Sequence, residues 1–142
     1  MNRLIILKGA SNVGKTSTLD ALIKKLLSKD AYLILSEKRE DITSFVICGL
    51  EGHKVGIITF GDPTSEPDME GCLQQCNEHQ CDIIFAASRT RGNIYDKLYH
   101  FAKTNNFATI ETSPLYAWNY AETGINIDTL NDILAEMLIT LI

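Results

Sequence analysis

The chain has 142 residues, 45% of them hydrophobic, with 13 basic against 18 acidic side chains and a formal charge of −5. That length suits one domain whose core buries about two-thirds of its unfolded surface, while the acidic balance argues against a nucleic-acid-binding body. No apolar run approaches the roughly 18–20 residues of a membrane span, and the run before Lys8 is too short for a signal segment, so a cytoplasmic protein free of the membrane is expected.

Leu4-Ile5-Ile6-Leu7 is a continuous apolar run, the pattern of a parallel strand buried on both faces. It leads into Gly9-Ala10-Ser11-Asn12-Val13-Gly14-Lys15-Thr16-Ser17, which fits G-x-x-x-x-G-K-[S/T] at every fixed position. Two glycines let the backbone wrap inward, so that successive N–H groups face a concavity sized for phosphate oxygens. Lys15 brings a full positive charge, Thr16 offers a hydroxyl to Mg²⁺, and a helix opening near Gly14 adds the positive end of its dipole. Leu19, Leu22, Ile23 and Leu26 recur at helical spacing and predict an amphipathic helix from Thr16 to about Lys29. A strand before and a helix after make Gly9, Ser11, Asn12, Val13, Gly14, Lys15, Thr16 and Ser17 candidate nucleotide-binding residues.

On these residues the chain resembles the P-loop nucleoside triphosphatase superfamily, with a complete Walker A motif. The wording Gly9-x-x-Asn12-Val13-Gly14-Lys15-Thr16 looks like the first motif of translation-factor-type GTPases. The resemblance implies a triphosphate, ATP or GTP, held with Mg²⁺.

Ala31-Tyr32-Leu33-Ile34-Leu35 reads as a second strand, and Ser36-Glu37-Lys38-Arg39-Glu40-Asp41 as a solvated loop. Glu37, Arg39 and Asp41 are candidates to approach a phosphate or an acceptor, beside the plainer reading of an exposed turn. Thr43 to Cys48 and Lys54 to Phe60 form two β-rich runs, and the short Gly-containing link between them predicts an antiparallel hairpin, a feature shared with small GTPases. The second run closes in Phe60-Gly61-Asp62-Pro63. An apolar run ending in aspartate resembles the Walker B pattern, which makes Asp62 a Mg²⁺ candidate with Thr16.

Ser65 is expected to cap a helix running to about Gln80, with Glu66, Pro67 and Asp68 in its first turn. Cys72, Cys76 and Cys81, with His79 among them, match no usual zinc spacing. Met69, Cys72, Leu73 and Cys76 share one helical stripe, so core packing is the reading preferred over metal or redox chemistry. Asp82 to Ala87 is a strand opening into Ser88-Arg89-Thr90-Arg91-Gly92. The family's guanine-reading Asn/Thr-Lys-x-Asp is missing there. Arg89 and Arg91 instead suggest contact with phosphate oxygens, set against plain solvation.

A helix capped by Asn93 should run to about Asn105, followed by a last strand, Phe107 to Ile110. Ile110-Glu111-Thr112-Ser113 looks like the fifth motif of small GTPases, which puts Thr112, Ser113 and Pro114 near the base. Tyr116, Trp118 and Tyr120 either close over the end of the core, the preferred reading, or stack on a base or a partner. The final helix is expected to bury Leu130, Ile133, Leu134, Met137, Leu138 and Leu141, and its apolar end leaves room for a homodimer contact.

These elements predict a three-layer α/β/α P-loop fold over residues 1–142, with a mostly parallel sheet of five or six strands and one antiparallel hairpin. The leading expectation is Mg²⁺-dependent binding and hydrolysis of a nucleoside triphosphate, ATP preferred, with Lys15, Asp62, Arg89 and Arg91 as catalytic candidates and Glu51 as a further candidate to position water. The alternatives are a small kinase with a small-molecule or nucleotide acceptor, and a switch or assembly subunit of low turnover, possibly GTP-binding, with a protein partner at segments 36–42 and 112–128.

Overall fold

The structure, a computed structural model, describes residues 2–10, 14–61 and 66–142. In chain order it contains β1 (Asn2–Lys8), α1 (Lys15–Ser28), β2 (Tyr32–Arg39), β3 (Ile42–Leu50), β4 (His53–Ile58), α2 (Glu66–Glu78), β5 (Ile83–Ser88), α3 (Asn93–Asn105), β6 (Phe107–Thr112), α4 (Tyr120–Thr123) and α5 (Ile127–Ile139). The strands form one six-stranded sheet in the order β2-β3-β4-β5-β1-β6. β1 pairs in parallel with β5 and β6, and β4 in parallel with β5. β3 is antiparallel to both β2 and β4, so the expected single hairpin is a three-stranded meander. Every strand but β3 therefore runs the same way, and their C-terminal ends share one edge.

The period-2 alternation of strands sorts the core into two layers. Ile5, Leu7, Ile57 and Phe85 face α1 and α5, where Leu19, Leu22, Leu26, Leu134 and Leu138 close on them. Leu4, Ile6, Ile58 and Ile84 face α2 and α3, meeting Met69, Leu73, Ile94 and Leu98. No helix among the described residues is long and apolar enough to cross a membrane.

Several local expectations change. The charged run 36–41 is not a loop: β2 continues to Arg39, and Glu40 and Asp41, with φ of 48° and 66°, make a two-residue turn into β3. α3 begins on Gly92, at φ 111°, with Asn93 as its first helical residue. In α5 the buried stripe is Asn131, Leu134, Ala135 and Leu138, whereas Ile133 and Met137 face outward, 45% and 56% exposed. The helix is apolar on more than one side, and its docking on α1 selected the stripe that carries a polar residue.

The cysteines behave as core, as their stripe predicts. Cys72, Cys76 and Cys81 pack with α2 and α3, and all four cysteines are reduced and buried. Gln80 takes a left-handed φ of 60°, and the Cys81 N–H donates to Cys76 O at 2.9 Å, which folds the chain back and brings the two thiols together against Gly56.

Candidate functional site

Gly9, just past the end of β1, and Gly14, just before α1, lie at the C-terminal edge of the sheet. Ser11, Asn12 and Val13 lie outside the described residues, as do Asp62 and Ser65. The flanks of the segment are fixed by backbone contacts. Gly9 N–H donates to Ser88 O at 3.0 Å, tying the end of β1 to the end of β5. Gly14 has φ 94°, and a Cβ there would stand 3.0 Å from Asn131 Oδ1, so both conformation and space call for glycine. Asn131 also accepts from Thr18 Oγ1 at 3.2 Å, in a buried bond between α5 and the first turns of α1.

Lys15 is buried, 7% exposed, and its Nζ donates to Gly9 O at 2.6 Å. Thr16 is exposed at the first turn of α1, and its hydroxyl donates to Thr59 O, just beyond β4, at 2.9 Å. The oxygen lone pairs of Thr16 remain for another ligand. Gly14 supplies no side-chain cap, so the first-turn N–H groups of Lys15, Thr16 and Ser17 are the donors an anion would meet at this helix end.

The sheet order brings β4 to the same edge with β5 interposed between it and β1. Thr59 is buried, donates its N–H to Ser44 O at 3.0 Å and its hydroxyl to Thr43 O at 2.9 Å, and so locks β4 to the start of β3. Gly61 lies against β5: a Cβ there would come within 2.5 Å of the Ala87 carbonyl. Arg89 and Arg91 are exposed in the loop after β5, one and three residues beyond Ser88. Thr112 ends β6 opposite Leu7, while Ser113 is exposed and Pro114 half-buried, so these three also lie at this edge. Glu51 does not. It sits with Gly52 in the turn before β4, at the opposite edge, about a strand length of 20 Å away.

Sequence reasoning missed a polar cluster beside β1. Glu111 on β6 accepts from Lys8 Nζ at 2.6 Å, from Tyr95 Oη at 3.1 Å and from Tyr99 Oη, and the two tyrosine rings meet at a tilt of 49° with centroids 4.9 Å apart. Lys8, then Tyr99, hold the Glu111 carboxyl below the ordinary glutamate range. Hydrogen bonding to Glu111 raises Lys8 and pushes Tyr99 well up. The signal was available in Tyr95 and Tyr99, four residues apart on a helix otherwise buried through Ile94, Leu98 and Ala102.

The aromatic segment is also corrected. Trp118 is 93% exposed and Tyr116 is 57% exposed, so neither closes over the core, and only Tyr120 turns partly inward, its hydroxyl buried with no hydrogen-bond partner. Finally, a groove of about 510 Å³ opens at this edge between the end of β2 and α2, lined by Glu37, Arg39, Phe60, Asp68 and Gln75 among others.

Among the described residues no group of three or more His, Cys, Asp or Glu side chains forms a metal cage. Comparison of the chain with protein-family models, with curated proteins and with solved structures found no match.

Proposed function

We propose that the chain binds a nucleoside triphosphate at Gly9–Ser17 and hydrolyses it, ATP being preferred over GTP. The observation that carries the reading is the meeting of Lys15 and Thr16: a buried ammonium folded over the Gly9 carbonyl, and a hydroxyl joined to the end of β4. A triphosphate lying over the first turn of α1 would offer Lys15 an anionic oxygen, a stronger acceptor than the Gly9 carbonyl. The same N–H groups and ammonium stabilise charge on the transferring phosphoryl group as water attacks phosphorus and the bridging β–γ bond breaks. Thr16 and Asp62 would hold Mg²⁺, which would supply positive charge against the phosphate oxygens. Arg89 and Arg91 are positioned in sequence to add cations from the β5 side.

Removing the Lys15 charge is the direct test. The Lys15→Ala variant should bind ATP·Mg²⁺ at least about tenfold more weakly by calorimetry, the scale of a lost charge-assisted hydrogen bond, with an unchanged far-UV spectrum. Equal affinity in the variant overturns the site. Titration of the native chain with ATP and GTP, with and without Mg²⁺, then decides the base and the metal.

A second reading, phosphoryl transfer, is favoured by the groove at the same edge. An acceptor oxygen would take the place of water, forming the new bond to phosphorus while the bridging oxygen leaves with its electron pair on the nucleoside diphosphate, and the acceptor proton passes to solvent. A phosphorylated product formed only with acceptor would separate this from hydrolysis.

A further inference from the structure

We propose that the groove between β2 and α2 binds a planar, amino-bearing heterocycle, the ring of a nucleobase, as a site separate from Gly9–Ser17. As the seat of a phosphoryl acceptor it rests on the second reading above; as a ring-binding site it does not.

The walls show how the site is built. The pairing of β2 with β3 steps from Glu37↔Phe45 to Lys38↔Thr43, which leaves Ser44 as a bulge. The bulge is pinned from both sides, by Ser44 Oγ donating to Glu37 O at 3.2 Å and by the Thr59 N–H donating to Ser44 O. Beside it Glu37 and Arg39 reach toward α2. Gln75 Nε2 donates to Glu37 at 3.5 Å, and Arg39 pairs with Asp68. The Arg39 guanidinium also lies over the Phe60 ring, 4.4 Å from its centroid. Cys72 is buried beside the groove, its thiol pushed up to about 12 by burial and then by Glu37.

This chemistry selects the ligand. Arg39 is matched by Asp68, and the named charges of Glu37, Lys38, Arg39 and Asp68 cancel, so the groove is a poor trap for a free anion. What it offers is a cation–π pair of Arg39 and Phe60, and a guanidinium plane is a group on which a base can stack. Around that pair stand two carboxylates, which accept from exocyclic amino groups, and an amide that both donates and accepts. The volume, about 510 Å³, falls within the range of small-molecule sites. The wall is also coupled to the other site, because Phe60 directly follows Thr59, whose carbonyl accepts from Thr16.

The test uses the full, ¹⁵N-labelled chain without triphosphate, titrated with guanosine, adenosine, cytidine and uridine. The amino-bearing nucleosides are expected to shift the amides of Ser44, Phe60, Gly71 and Gln75, with uridine weaker. Arg39→Lys keeps the charge but removes the plane, and should weaken binding about tenfold, the scale of a lost stacking contact. Phe60→Leu should weaken it as well, and Glu37→Gln should reduce the preference over uridine. Lys15→Ala should leave all these shifts in place. That result, together with no ATP binding by the native chain, would sink the hydrolytic reading and keep the groove. The proposal is overturned by shifts confined to Gly9–Ser17 and Thr112–Tyr120, by full affinity in Arg39→Lys, by the absence of shifts at millimolar nucleoside, or by inorganic phosphate shifting the groove where nucleosides do not.

Discussion

Leu4-Ile5-Ile6-Leu7 in β1 and Tyr32-Leu33-Ile34-Leu35 in β2 begin as similar apolar runs and end in opposite surroundings. The first four are 0 to 1% exposed, whereas Tyr32 is 61% and Leu33 53% exposed. The difference lies in the neighbours: β1 sits between β5 and β6 under helices on both faces, and β2 is the outer strand of the meander. An apolar run specifies a strand, but the order of strands decides how deeply it is buried. β2 also carries features that protect an edge from further pairing, namely a bulge at Ile34, a second irregularity at Glu37–Lys38 where β3 bulges at Ser44, and the charged run Glu37-Lys38-Arg39. Tyr32 has a further task, because its ring fills the space that a side chain at Gly49 would need.

Matched truncations should expose the contrast most strongly. Ile5→Ala is expected to cost about 2–5 kcal/mol in urea unfolding, the range for emptying a closed core site. Leu33→Ala should stay within about 0.5 kcal/mol, as for an ordinary surface change. Equal losses would mean that β2 is covered in solution, and the contrast would then belong to the isolated chain alone.

The same contrast explains what could be read in advance. A strand buried on both faces and helices that bury one clear face were legible: β1 as a continuous apolar run, and the Leu19–Leu26 stripe of α1 and the Met69–Cys76 stripe of α2, fell where the pattern put them. Glu37-Lys38-Arg39 was misread because six polar residues in a row look like a loop, and an edge strand needs no apolar face. α5 was misread because apolar residues on more than one side leave the stripe undecided until α1 is in place. In the candidate site, Gly9, Gly14, Lys15 and Thr16 were legible as a local pattern. Asn131, Thr59 and Glu111 were not, since each matters through a partner distant in sequence.

A second substitution tests whether β4 must stay close to β5 for this edge to form. Gly61→Ala places a Cβ within 2.5 Å of the Ala87 carbonyl, backbone that cannot turn aside as a side chain can. A loss of about 1–3 kcal/mol is expected, the usual cost of overpacking, and the triphosphate binding proposed above should weaken because Thr59 moves away from Thr16. An unchanged melting curve would show that the end of β4 moves freely, and would remove Thr59 as a fixed partner of the α1 terminus.

β6 is the other edge strand, and it is held differently from β2, which makes the smallest effect the most discriminating. Lys8, Tyr95 and Tyr99 converge on Glu111, and they hold its carboxyl below the usual glutamate value. The charged form is thus favoured in the folded state. Its contribution is fully present above the unfolded glutamate pKa of about 4.3, and it is lost as the pH falls through the lower folded value. Glu111→Gln should therefore be slightly less stable than the native chain near pH 7, by no more than about 1 kcal/mol for a partly exposed pair. The two should converge as the pH falls below about 4. Thermal melts between pH 7 and pH 3 measure the gap directly. A gap that persists undiminished at the acid end would assign the anchoring of β6 to the shape of the tyrosine cluster rather than to the charge of Glu111, and the two edges of the sheet would then differ in packing alone.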